Sequence, residues 1–283
     1  MRISLSTGGV PGYSNESVTN NISSDRNTMQ TASHSNRQLE YEENGFFTVE
    51  RLFTPSDLKE LSQRTTDIAE GRVKDFPSSL IELEPNAEIQ NAKTVRKIND
   101  CARNDSVFAR YAANENILDI VQEVLGPDIK LFGSQCFMKP PGGVEKPYHQ
   151  DSPYFSIAPM ALVTCWVALD EATLENGCLW VVPGSHRQGP LEHSEAWDLG
   201  NRIDMRIPES AFDRSKEVAI TMPEGSCSFH HSLLLHMSHP NKTSQPRRGA
   251  AFHYMSSRSH WTNPEKPAPE YPLLRGQAYP GCV

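Results

Sequence analysis

Large apolar side chains are scarce before Leu39 and frequent after it, and their spacing shifts from helical to strand-like near residue 129. A segment with little apolar surface to bury cannot offset its ordering entropy, so residues 1–38 are expected to form a disordered tail and 39–283 a single folded domain. Gly45-Phe46-Phe47-Thr48-Val49 reads as a short buried strand. Thr54-Pro55-Ser56-Asp57 opens a helix with a Thr cap, Pro at the first helical position and an acid at the third. Leu58, Leu61, Thr65 and Ile68 share its inner face, and Gly71 stops it. Residues 72–100 are mixed, with strand-like stretches near Ile81 and Val95. A second helical block runs from Asp105 to Leu125, where Ile117, Leu118, Val121 and Leu125 make a stripe that Gly126-Pro127 ends.

From Ile129 onward, short β-prone runs are separated by Pro, Gly and Asn turns. They fall at 129–139, 147–151, 161–169, 177–182, 217–221, 226–230, 233–237 and 248–256. Glu175-Asn176-Gly177 has the positive-φ chemistry of a hairpin turn. Strands of this length following a helical section predict a mainly β fold with flanking helices, a double-sheet jelly roll. Pro183 to Ser215 carries little strand signal, and a loop of that length suits a lid or a binding element.

A balance of 27 basic against 35 acidic residues, net −8, argues against general affinity for nucleic acid or anionic membrane. No apolar run approaches the length of a membrane span. The six cysteines contain no C-x-x-C pair and sit mostly in apolar segments, which favours free thiols in a reducing, cytoplasmic setting over a zinc ribbon or disulfide framework. The first residues lack the apolar core of a secretory signal. Their Ser/Thr/Asn content with Arg2, Arg26 and Arg37 leaves an organelle transit peptide open, beside the simpler reading of a tail.

Candidate chemistry concentrates in His149-Gln150-Asp151 and in His236. His149 and Asp151, two apart, leave the same face of an extended strand. Two imidazoles and one carboxylate can hold one face of an Fe(II) ion and leave positions open for chemistry. His231 and His239 compete with His236 as the distal ligand; the following Ser238 and the offset to Arg247 favour His236. Arg247, Gly249, Ala251 and His253 share one face of a strand, and a guanidinium pairs bidentately with a carboxylate. Arg248 beside it reads as a solvated surface residue. His186 either faces the site or fixes its own turn. Tyr148, Tyr154 and Phe155 flank the metal motif as candidate substrate contacts, and Trp197, Arg202 and Arg206 as candidates for gripping an anionic substrate group.

Taken together, these motifs resemble the phytanoyl-CoA dioxygenase family of Fe(II)/2-oxoglutarate oxygenases, near the branch of phytanoyl-CoA dioxygenase domain-containing proteins. The likeness rests on His149-Gln150-Asp151, Trp166-Val167-Ala168-Leu169-Asp170, Asn176-Gly177-Cys178-Leu179-Trp180, Pro183-Gly184-Ser185-His186, and His236-x-Ser238 with Arg247, in that order. It implies a cupin-like double-stranded β-helix with Fe(II) on His149, Asp151 and His236. It also implies 2-oxoglutarate with its far carboxylate on Arg247 and Ser238, and Gln135, Trp166 and Lys97 as further contacts. O2 would then be consumed, with succinate and CO2 released, while a C–H bond of a small organic substrate is hydroxylated. A carboxylate at Asp151 favours oxygenation over halogenation, because halogenating relatives lack it. A non-catalytic binding protein on the same scaffold and a zinc-dependent hydrolase are the competing classes; the hydrolase has no need of Arg247. The substrate, including whether it is a CoA ester, and the oligomeric state are not legible.

Overall fold

The computed structural model describes residues 35–199 and 203–283. Residues 1–34 of the expected tail, and Arg202, lie outside them. Helical order starts ahead of the expected boundary at 39. Ser35 caps a helix over Asn36–Asn44, its hydroxyl accepting the Gln38 N–H at 3.2 Å. Ser35 and Arg37 both bond Glu123 of a later helix, at 2.7 and 2.6 Å. The apolar pattern did not reveal this helix because Tyr41 is its one buried residue; a cap and polar bonds hold it in place.

Eight antiparallel strands form the larger sheet. Its path runs Phe46–Val49, Cys227–His231, Val163–Ala168, Gly249–Ser256, Ile129–Phe137, Val95–Asn99, Ile81–Leu83, with Leu273–Arg275 added beside Ile129–Phe137. The smaller sheet orders Val218–Ile220, Leu179–Val181, His236–Ser238 and Lys146–His149. All eight strands expected after Ile129 are present. The chain alternates between the two sheets almost strand by strand, so the architecture is a double-stranded β-helix. That alternation changes the role of the Asn176-Gly177 turn. Gly177 has the expected positive φ of 82°, yet the strands on its two sides, Val163–Ala168 and Leu179–Val181, lie in different sheets, so it makes a crossing and not a hairpin.

The helices pack outside the larger sheet. Pro55–Ala69 carries the expected capping box, with Thr54 and Asp57 bonding each other's backbone. Its Leu61 and Ile68 join Ile117, Leu118 and Val121 of the next block against Cys165, Phe229 and Phe252. The block from 105 to 125 is broken into Ser106–Ala112 and Glu115–Leu125, because the Asn114 side chain accepts the N–H groups of Asn116 and Ile117 and starts a new helix. Arg248 corrects the expectation of a solvated residue. Its guanidinium meets both oxygens of Asp170 (2.8 and 2.7 Å) and reaches Thr66 Oγ1 and the Ser62 carbonyl of the first long helix. A forked, mostly covered pair of this kind stabilises more than a surface ion pair does. Arg248→Ala is therefore expected to lower unfolding free energy by about 2 kcal/mol, read from urea midpoints.

Residues 183–215 also differ from expectation. They contain an antiparallel pair, Glu195–Asp198 with Ile203–Arg206. Its apolar residues point the wrong way for a buried strand: Ile203 and Met205 are exposed while Asp204 and Arg206 are half-buried, so no inward apolar alternation marked it.

His231, the proposed rival of His236, does not line the cavity that His236 and the adjacent His230 share; its ring centroid lies 5.8 Å from that of Tyr41 and 5.2 Å from that of His186. Its Nδ1 accepts the Leu233 N–H, and burial, aided by His186, pushes its pKa down to about 4. An unfolded histidine titrates near 6.5, so between these values the unfolded chain binds more protons. The stabilisation is complete above that unfolded value and is lost as pH falls toward 4. At pH 5 this group is expected to have removed about 2 kcal/mol. His231→Gln should flatten the dependence of urea stability on pH between about 7 and 5, and an unchanged slope would assign the loss elsewhere.

Candidate active site

His149 ends a strand of the smaller sheet and pairs in register with His236 on the neighbouring strand. This cross-strand pairing brings together two residues distant in the chain, with ring centroids 4.1 Å apart. Asp151 does not continue the strand as its spacing suggested. It has φ −76° and ψ −45° at the start of a short turn, and that bend carries its carboxylate to the two rings. Oδ1 stands 3.8 Å from Nε2 of both His149 and His236. Ligand atoms of the three residues lie within 4.8 Å of one another. With metal bonds of about 2.0–2.2 Å, one ion between them meets all three after a small contraction.

The surroundings leave these groups in states that a metal ion could accept. Nδ1 of His149 donates to the Pro147 carbonyl, and Nδ1 of His236 to the Leu234 carbonyl, each at 2.9 Å. Both Nε2 atoms are therefore left as lone pairs facing the carboxylate. Burial, with His236 and Lys146 close by, holds the His149 pKa well below its ordinary value, in the neutral form a metal requires. For Asp151 burial raises the carboxyl pKa, but the imidazoles of His236, His253 and His230 outweigh this and the net shift is downward. Its second oxygen, Oδ2, accepts from Thr164 Oγ1 at 3.4 Å. Gln150 between the ligands turns away and bonds the Gly189 and Leu233 carbonyls. Ser185 of the Pro-Gly-Ser-His turn accepts the Leu235 N–H at 2.9 Å, next to His236. That motif thus positions the strand of His236, while His186 itself packs on His231 and stays out of the cavity.

Behind the trio, a cavity of about 70 Å³ runs to Arg247. Arg247 is 2% exposed, its Nε has no partner, and among the described residues no carboxylate pairs with it. Burial lowers its pKa to about 10, which leaves the guanidinium charged at neutral pH. The guanidinium carbon lies 5.3 Å from the centre of the Trp166 ring. Gly249 makes that arrangement possible: a Cβ there would fall 2.0 Å from Trp166 Cζ2. Ser238 and Gln135 also line this cavity.

Lys97 does not line it; its Nζ pairs with Glu82 at 3.0 Å. Tyr148 alternates with His149 and so points away, its ring on Phe212 and its hydroxyl on Glu217. Tyr154 is half exposed and donates to the Met205 carbonyl. Phe155 lines a neighbouring recess. Trp197 lies between Arg96 and Lys146 over a separate surface hollow, and Arg206 pairs with Glu195. His239 packs on Trp180.

Sequence reasoning overlooked Lys139, His230 and Thr164, all of which line the cavity. Parity does not place Lys139, which lies two residues past the strand Ile129–Phe137 with a positive φ of 28°. Its Nζ donates to Ser238 Oγ at 2.8 Å, to the Ser238 carbonyl at 3.3 Å and to the His239 carbonyl. The ammonium is thereby fully engaged, and the Ser238 hydroxyl proton is left free to point into the cavity. Lys139→Met is expected to weaken binding of a dicarboxylate by about tenfold, measured by calorimetry, through loss of that orientation.

A jelly roll with two imidazoles and a carboxylate at one end of its barrel, and a buried guanidinium behind them, defines the class of mononuclear non-haem oxygenases. Within that class the chain belongs to the Phytanoyl-CoA dioxygenase (PhyH) family, which matches residues 41–249. It is 32% identical over 228 residues to the peroxisomal phytanoyl-CoA dioxygenase of Rattus norvegicus, covering 77% of this chain and 67% of that protein. It is 24% identical to a probable alpha-ketoglutarate-dependent hypophosphite dioxygenase of Stutzerimonas stutzeri, covering 78% of each. Among solved structures, EctD from S. alaskensis with 2-oxoglutarate and 5-hydroxyectoine superposes with a TM-score of 0.69 at 24% identity, covering 88% of this chain and 86% of that one. The epimerase SnoN in complex with Fe3+, alpha ketoglutarate and nogalamycin RO gives 0.67 at 20% identity, covering 84% and 97%.

Proposed function

We propose that this protein is an Fe(II)- and 2-oxoglutarate-dependent oxygenase that hydroxylates a C–H bond of a small organic molecule. The observation that carries this reading is a buried, charged, unpaired Arg247 in the same cavity as three converging metal-ligand side chains. Burying a guanidinium without a partner costs several kcal/mol unless a ligand completes it, on the order of the penalties measured for orphaned buried charges. A carboxylate is the ligand that matches its fork.

His149, Asp151 and His236 would hold the iron. Arg247 would bind the far carboxylate of 2-oxoglutarate, with the Ser238 hydroxyl, set by Lys139, donating a second bond. Trp166 forms the floor beneath the guanidinium, and the apolar lining of Phe137, Leu179 and Ala251 excludes water from the span between. Thr164 restrains Asp151 Oδ2, which leaves Oδ1 for the metal. When bound, the iron and 2-oxoglutarate supply oxidative decarboxylation to succinate and CO2 and the oxidising power for the C–H bond; the chain orients and shields them.

The test is succinate formation by purified protein with Fe(II), ascorbate, 2-oxoglutarate and O2. Turnover that vanishes in His149→Ala and Asp151→Ala supports the reading. Tight binding of both iron and 2-oxoglutarate without turnover, across a broad substrate panel, would make the chain a binding protein on an oxygenase scaffold.

A further inference from the structure

A second recess of about 400 Å³ adjoins the metal cavity and shares two of its walls, Gln135 and His253. Small-molecule sites span about 300–1,000 Å³, so it suits a compact ligand, while the metal cavity is far smaller. One side is a continuous aromatic wall: the Phe132 ring lies 4.4 Å from that of Phe155 and 5.3 Å from that of Tyr271. Asp100 and Arg103 supply its charged groups.

Two features say what this recess selects. His253 is 4% exposed, and its Nε2 has no hydrogen-bond partner. Its Nδ1 lies 2.8 Å from Thr164 Oγ1, whose single proton is drawn to the Asp151 carboxylate. The threonine oxygen then takes the Nδ1–H, and Nε2 is left as a bare acceptor beside the metal end of the recess. Asp100, half-buried, makes no cap bond to the helix it precedes, and among the described residues no ion pair reaches its carboxylate. Arg103 is exposed at the rim, bonded to the Glu270 carbonyl and set over the Tyr271 ring. An acceptor, a carboxylate and an aromatic wall all favour a positively charged donor.

We propose that this recess receives the molecule to be oxidised, and that this substrate is a small compound bearing a protonated nitrogen close to the C–H bond attacked. This rests on the oxygenase reading above. It sets the chain apart from an acyl-CoA enzyme: an acyl chain offers nothing to Asp100 or to His253 Nε2, and its phosphates would meet one rim arginine.

The experiment uses the full chain with Fe(II) under argon, titrated first with 2-oxoglutarate and then with cyclohexylammonium, cyclohexanol, cyclohexanecarboxylate or octanoyl-CoA, by calorimetry. Saturation by 2-oxoglutarate followed by a preference of at least about tenfold for the ammonium over the alcohol supports the proposal, with the carboxylate weaker still. Asp100→Asn, which tolerates the observed φ of 48°, should bring ammonium and alcohol to within about twofold of each other. Phe155→Leu, on another element, should weaken both without changing their ratio. Equal binding of ammonium and alcohol, a preference that survives Asp100→Asn, or tighter binding of octanoyl-CoA would overturn the substrate class alone. Failure of 2-oxoglutarate to bind would overturn the oxygenase reading, and this proposal with it.

Discussion

Arg247→Gln is expected to raise the Kd for 2-oxoglutarate by about a hundredfold or more. The wild-type guanidinium is already desolvated, so its cost is met in folding and not in binding. A dicarboxylate entering the cavity finds a charged fork with no competing carboxylate, held over Trp166 by a glycine that lets the ring lie flat across its strand. Glutamine keeps much of the volume but offers no charge, and the incoming carboxylate is left buried and underpaired. The effect should fall on affinity, measured by anaerobic titration, with the metal site intact by its Fe(II) affinity. A Kd within about threefold of wild type would move the anion site to another residue and undo the functional reading. Arg247→Lys should recover only part of the loss, because an ammonium cannot reproduce two parallel hydrogen bonds.

Loss of a metal ligand should be the larger effect on turnover. Asp151→Ala is expected to abolish succinate formation and to weaken Fe(II) binding by more than about a hundredfold, beyond what removal of an outer hydrogen-bond partner costs. Among the described residues the trio holds one carboxylate and two imidazoles, so removal of that carboxylate would leave a bound dication without charge compensation in a buried site. Thr164→Val, which removes only the restraint on Oδ2, should weaken Fe(II) binding by roughly tenfold. Equal effects of the two substitutions would show that Asp151 does not bind the ion. Metal content after gel filtration and succinate yield, measured on the same samples, separate ligand loss from misfolding.

Much of the core was legible along the chain because its information is local. The stripe of Leu58, Leu61 and Ile68, the cap at Thr54 and the eight strand-like runs depend on side-chain period and turn chemistry, which the linear order contains. His149, Asp151, His236 and Arg247 came forward for a different reason: their types and order resemble a family's motifs, and the fold brings all four to one cavity. Charge pairing was not legible. Arg248 and Arg247 are adjacent and chemically identical, yet one is forked onto Asp170 and the other stands unpaired in a cavity. Strand alternation sends them to opposite faces, and only the packed sheets decide which face holds a carboxylate.

Local order alone determined that residues near 149 and 236 would lie on strands and that helices would cover an apolar sheet face. Tertiary structure alone decided that those strands are neighbours in one sheet, that a bend rather than strand parity delivers Asp151, and that Lys139 is spent on Ser238. It also placed His253 between two cavities and turned Tyr148 away from both. The physical reason is that period and propensity act over a few residues, whereas hydrogen-bond satisfaction in a buried site depends on partners brought together from any distance along the chain.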